Sequence, residues 1–214
     1  MNKYQAFLLS LSIILPTIAG VVRYRSIPAS YRPLIYILLL GLATELTCYL
    51  FFYHTSNALP VNIYILFEFL LFAWQFRSWK NILQHKGLFI SLITALSSLW
   101  VFNNIIMGRI NTFNLTFQVV YSLVLVLLAV NQLNWLVVNE RGLILRNAKF
   151  IVCMAIIVFF SYKAMTEIFY YYAPHNTIKS NIYVIESYLN VAYNIMLTIA
   201  IICIPPKNNF IQLS

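Results

Sequence analysis

Aspartate is missing from this chain altogether, and charge of any sign is scarce, with 9% of the 214 residues charged. Soluble domains carry charge at roughly a quarter of their positions, so an ordinary soluble domain is excluded. Cysteine is also sparse: Cys48, Cys153 and Cys203 are scattered through apolar runs. They form neither a disulfide framework nor a metal-ligand spacing. There is no G-x-x-x-x-G-K-[ST] loop and no G-x-S-x-G elbow, which removes P-loop nucleotide chemistry and the α/β-hydrolase nucleophile. No polar stretch is long enough to form a separate soluble or signalling domain.

What is present is apolar. The chain is 62% hydrophobic, with a mean hydropathy of +0.81. Apolar runs of about 20 residues recur along it, each long enough to cross a bilayer. The expected class is an all-α polytopic membrane protein forming one domain over residues 1–214, with the lipid bilayer as its first partner. Seven helices are expected, at about 4–22, 33–53, 61–76, 87–107, 113–138, 150–172 and 181–204. The first contains Pro16 and is expected to kink there. We read it as an uncleaved helix, because cleavage as a signal peptide would leave Arg23, Arg25 and Arg32 on the translocated side.

The net charge of +9 does not point to nucleic acid, because the basic residues sit in short loops, where they act as topology signals. Arg23, Arg25, Arg32, Arg77, Lys80, Lys86, Arg141, Arg146, Lys149 and Lys207 fall in alternate connections or the tail. Lys3, Arg109 and Lys179 fall on the other side. This positive-inside pattern predicts an external N-terminus and a cytoplasmic C-terminus, in a plasma (inner) membrane. The basic cytoplasmic loops are where a protein partner would bind.

Within the apolar runs, two distant stretches use the same order of residue types. The first has Thr44-Glu45-Leu46, Tyr49, His54, Asn62-Ile63-Tyr64 and Glu68. The second has Thr166-Glu167-Ile168, Tyr171, His175, Asn181-Ile182-Tyr183 and Glu186. They fall on helices two and three and on helices six and seven. This suggests a parallel three-plus-one-plus-three internal repeat, an organisation used by some transporters. The SWEET and PQ-loop families share that organisation, but their Pro-Gln signature is absent here, so the likeness is one of architecture.

The predicted topology puts Glu45, Glu68, Glu167 and Glu186 in the outer half of the membrane. Ionisable residues at such depth usually face a bundle interior or a cavity. Glu45 and Tyr49 are four apart, as are Glu167 and Tyr171, and Glu186 and Asn190, so each pair shares a helix face. Lys163, four residues before Glu167, is placed to pair with it, whereas Gly41 holds the matching position before Glu45. Three carboxyl groups then await a proton or a cation. The expected site for a ligand or proton is Glu45, Glu68, Lys163, Glu167, Glu186, Tyr49, Tyr171, Asn62, Asn181 and Asn190. The weighed alternative is polar glue between helices, at on the order of 1 kcal/mol per hydrogen bond.

No cofactor and no enzymatic activity are expected. His54 and His175 are weak candidates for a metal, since no HExxH or comparable motif accompanies them. Intramembrane metal hydrolases of the alkaline ceramidase type combine several histidines with aspartate and serine, a set that this chain does not supply. A retinal-type photoreceptor would need a lysine on helix seven, and that helix has none. The leading expectation is a small proton- or cation-linked solute transporter that takes a small polar or cationic ligand. A seven-helix sensory or receptor-like module acting through a separate protein is second, and a lipid-acting intramembrane hydrolase third.

Overall fold

The computed structural model describes residues 3–52, 56–79, 82–139, 144–172 and 176–207. Among them there is no strand. The helices are α1 Lys3–Ser10, α2 Ile14–Arg23, α3 Arg32–Phe52, α4 Ala58–Ser78, α5 Lys86–Val101, α6 Leu115–Asn139, α7 Ala148–Tyr172 and α8 Asn176–Cys203. Six of them, α3 to α8, are long and apolar enough to cross a membrane, α5 with the help of a five-residue π turn at Phe102–Ile106. A shorter apolar stretch, Phe7–Arg23, runs through α1 and α2. The fold is thus an all-helical, multi-pass membrane bundle of six or seven crossings.

The first run departs from a single kinked helix. A 3-10 turn at Leu11–Ile13 separates α1 from α2. Pro16 accounts for the break one turn earlier: it has no N–H for the carbonyl of Ser12, and its ring crowds that carbonyl. Elsewhere proline begins helices instead of ending them. Pro33 and Pro60 stand in the first turns of α3 and α4, where the N–H they lack has no intrahelical partner anyway. That is why α4 starts at Ala58 and not at residue 61. Likewise α8 starts at Asn176, so Asn181 lies inside a helix and not at its beginning. At the far end of α5, Gly108 has φ of +63°, a conformation that glycine adopts without strain, and the chain turns away from the π segment there.

Neighbours in sequence are mostly neighbours in space. The α1/α2 pair packs on α3, α3 on α4, α4 on α6, α6 on α7, and α7 on α8. The ring closes where α8 returns to α1 and α2. Helix α5 stands outside this ring, burying only Leu96 and Trp100 along its α-helical length. The core is aromatic, with Phe69, Phe72, Phe76, Tyr121 and Phe160 all fully buried. The exterior is apolar too, with Leu50, Phe51, Leu127, Val138 and Ile202 well exposed. Against lipid such burial gives no net hydrophobic gain, so dispersion packing and polar bridges must hold the helices together.

The bridges at one end of the bundle are specific. Arg23, at the end of α2, donates to the carbonyls of Ile201, Ile202 (2.7 Å) and Ile204 (2.8 Å) at the end of α8. Carbonyls in the last turn of a helix lack the usual intrahelical partners, and a cation suits the negative end of the helix dipole. Of these three, only that of Ile201 accepts a backbone bond among the described residues, from the Ile204 N–H at 3.3 Å. The Lys207 N–H adds a bond to the Ser26 carbonyl at 2.7 Å. Gln75 of α4 does the same for the start of α3: its Oε1 accepts from the Leu34 N–H at 2.8 Å and its Nε2 donates to the Ser30 carbonyl at 2.5 Å. We call this the basic end, since Arg23, Arg32, Arg77 and Lys207 cluster there.

Candidate functional site

The polar site is built outward from Glu68. Tyr64, one turn earlier on α4, donates its hydroxyl to Glu68 Oε1 at 2.6 Å. Tyr121, from α6, donates to Oε2 at 3.1 Å. Lys163 of α7 then donates from Nζ to the Tyr121 hydroxyl oxygen at 2.9 Å. A relay of four side chains therefore crosses three helices, from Lys163 through Tyr121 and Glu68 to Tyr64. Glu68 is only 4% exposed, and a carboxyl so deeply placed needs partners on both oxygens. It has them.

Lys163 differs from expectation. Its ammonium leans to Tyr121 and not to Glu167 one turn ahead, because long side chains on helices point back toward the N-terminus. It lies 5.5 Å from the ring centre of Tyr121, 6.0 Å from that of Phe159 and 5.9 Å from that of Phe160. Glu167 and Glu186 of α8 line the same small cavity as this lysine. One ammonium group is thus shared among an aromatic cage, a phenol and two nearby carboxyl groups.

Two cavities meet at this lysine. The larger, about 470 Å³, lies among α1, α3, α4, α7 and α8 and is lined by Glu45, Glu68, Lys163, Glu186, Asn190 and Asn194 among others. Along α3 it runs from Phe52 to Ile37, a depth of about 22 Å at the helical rise. The smaller, about 180 Å³, is lined by Gln118, Lys163, Thr166, Glu167 and Glu186. Lys163 and Glu186 border both. No protein-family model, no curated protein and no solved structure matches the chain. The site must be read from its geometry.

The sequence-predicted residues divide as follows. Glu45, Glu68, Lys163, Glu186, Tyr49 and Asn190 line the large cavity, where Tyr49 stacks on Phe7 with ring centres 3.8 Å apart. Glu167 lines the small one instead. Asn62 lines neither. It is fully buried, its Nδ2 donating to the carbonyls of Ile110 and Thr112 at 2.8 Å each, while its Oδ1 accepts from the Asn114 N–H at 3.3 Å. The Trp100 indole N–H bonds the Asn62 carbonyl at 2.8 Å. Asn62 is therefore a clamp that holds the 108–114 connection onto α4, with both of its amide hydrogens committed to the chain itself. His54 and His175 lie outside the described residues, as do the side chains of Tyr171 and Asn181.

Sequence reasoning missed several groups. Tyr121 joins Lys163 to Glu68, and its signal was the polar spacing Gln118, Tyr121, Ser122 within an apolar run. Tyr193 borders the large cavity and is 8% exposed, and its hydroxyl has no hydrogen-bond partner among the described residues. Phe7, Ser10 and Ile13 bring the first helical pair into the cavity wall, and Ser12 accepts a bond from Asn194 Nδ2 at 2.8 Å. Gly41 also lines the cavity; a Cβ there would stand 2.6 Å from Ile13 Cδ1 and 3.6 Å from the Tyr64 hydroxyl. The missing side chain at that position lets Ile13 pack against α3 in the cavity wall.

Proposed function

We propose that this chain is a small proton- or cation-linked solute carrier of the plasma membrane. In this reading seven crossings leave the N-terminus outside and the C-terminus in the cytoplasm, with the basic end cytoplasmic and the large cavity open to the exterior. The carrying observation is the cavity itself: about 470 Å³ of space bordered by Glu45, Glu68 and Glu186 and, among the described residues, by a single lysine. Three carboxyl groups against one ammonium favour a cation or protons as the species taken up.

The barrier below the cavity supports movement across the membrane. On α3 the cavity floor is at Ile37, and only the residues from Arg32 to Tyr36 separate it from the basic end, about 7 Å of helix. Leu34 and Ile35 fill that layer, both fully buried, and the Arg23 and Gln75 bridges seal it. Opening those bridges while closing the other end would expose the same site to the opposite side. The ring order, in which α4 meets α6 as α8 meets α1 and α2, fits a parallel three-plus-one-plus-three repeat with α5 as the odd helix.

A receptor-like module is the second reading, favoured by the aromatic layer of Phe72, Phe159, Phe160 and Tyr193 packed on the cage of Lys163. Rings packed edge to face in this way can act as a fixed floor beneath a bound ligand. A metal hydrolase has less support, since no three His, Cys or Glu side chains converge among the described residues. Reconstitution in liposomes discriminates. A carrier moves protons or a test cation down an imposed gradient, and replacing Glu45, Glu68 and Glu186 together by Gln stops it. Tight binding with no movement would establish the receptor reading instead.

A further inference from the structure

Resting on the reading that the large cavity takes a cation, we infer that its ligand is an organic ammonium ion carrying an apolar body, and not a metal ion or inorganic monovalent cation. Four observations lead there. First, hard metal ions need several oxygen ligands converging at about 2.0–2.6 Å, and the carboxyl groups here surround the space without converging to a three-ligand group among the described residues. Second, a volume of about 470 Å³ falls in the range of roughly 300–1,000 Å³ that holds a small organic molecule, far beyond a single ion. Third, the wall carries apolar patches beside its polar residues: Phe7, Phe52 and Tyr49 toward one end, and Ile13, Ile37 and Leu38 along the depth.

The fourth observation is the protein's own lysine. The Lys163 side chain is an alkylammonium, and the bundle already holds its head group between a phenol oxygen at 2.9 Å and three rings within 6.0 Å. Ring faces attract such a cation, more strongly when water is excluded. The adjoining wall has related chemistry: Glu186 and Glu68 supply carboxyl groups, Tyr193 a ring stacked on Phe159, and the Tyr193 hydroxyl, without a partner among the described residues, a hydrogen-bond acceptor. A buried hydroxyl with no partner is costly, and an ammonium N–H would satisfy it. The charged head therefore sits at the level of Tyr193 and Glu186, with the apolar body against Ile13, Ile37 and Leu38.

The test uses the full chain in lipid nanodiscs, with empty nanodiscs as baseline for partitioning into lipid. Radiolabelled phenethylammonium is the probe in equilibrium dialysis, and ammonium, potassium and the neutral 2-phenylethanol are the competitors. Phenethylammonium should bind about 100-fold more tightly than ammonium or potassium, the combined effect of ring contacts and a fitted body. 2-Phenylethanol should fail to displace it, and Glu186→Gln should weaken it about tenfold with thermal unfolding little changed. Equal competition by ammonium or potassium would overturn the inference, and so would displacement by the neutral alcohol or no binding of the probe. Proton movement in liposomes keeps the two readings apart. Glutamate-dependent movement without probe binding sinks this inference alone, whereas loss of both sinks the carrier reading as well.

Discussion

Glu45 and Glu167 hold matching places in two similar stretches, yet one faces a cavity of about 470 Å³ and the other a cavity of about 180 Å³. The residue one turn earlier separates them. Before Glu167 stands Lys163, whose chain and ammonium occupy the space and bring a positive charge with them. Before Glu45 stands Gly41, which contributes neither volume nor charge. The cavity beside Glu167 is thus the smaller, with Lys163 and two carboxyl groups on its wall, while the one beside Glu45 is larger and sets three carboxyl groups against the same lysine. In a bilayer, packing against protein gains little over packing against lipid, so an open volume of this size costs the fold less there than it would in water.

The most drastic way to break the contrast is to make the halves alike. Gly41→Lys should place an ammonium beside Glu45 and Glu68, displace the flexible end of Ile13, and reduce cation binding by about 100-fold, roughly 2.7 kcal/mol. Gly41→Leu separates bulk from charge by filling the space alone. If Gly41→Lys bound cations as the unmodified chain does, the contrast would have no functional meaning. Asn62→Ala comes next and acts on stability. It strands the carbonyls of Ile110 and Thr112 and the Asn114 N–H, so unfolding in detergent should become easier by roughly 2–4 kcal/mol. Ligand affinity of the folded fraction should stay within about twofold. A large loss of affinity there would move Asn62 from the clamp into the site.

Smaller effects should sort the glutamates. Glu68→Gln should lower cation affinity about tenfold, whereas Glu167→Gln should change it less than about threefold, because Glu167 borders only the small cavity. Reversed ranks, measured by dialysis on the two variants, would place the ligand on the other side of Lys163. Lys163→Met should strengthen cation binding about fivefold by removing the resident competitor. A weaker complex would mean that Lys163 serves chiefly to hold Tyr121 in position. Tyr49→Phe keeps the stack on Phe7 and should alter binding by less than about twofold.

The membrane class and the six long helices were legible in the apolar runs, because length and hydropathy alone decide them. The intramembrane glutamates stood out for the same reason, as rare charges in apolar surroundings. What was not legible depends on which helices touch. Tyr121 lies in neither repeated stretch, and only the packing of α6 between α4 and α7 joins it to Glu68 and Lys163. The wall residues Phe7, Ser10 and Ile13 carry no charge to draw notice, and they reach the cavity because Pro16 divides the first run. Asn62 misled in the other direction: it stands in the repeated motif beside Tyr64, yet it faces the 108–114 connection, where backbone groups need partners. A polar residue in an apolar run announces that it is satisfied by something, without saying whether that something is a ligand or the chain itself.

The bond between Arg23 and the last turn of α8 also fixes an order of events during synthesis. Arg23 leaves the ribosome long before Ile201, Ile202 and Ile204 exist, so its three acceptors are absent while every intervening helix is inserted. The cavity has walls from both α1 and α8 and is incomplete until then. Acidic groups on α3 and α4 therefore enter the bilayer before Glu186 and Asn190 arrive, and α8 both closes the ring and completes the cavity wall. Truncated or stalled chains should be recognisable to membrane quality control by an open seam that the full-length chain lacks.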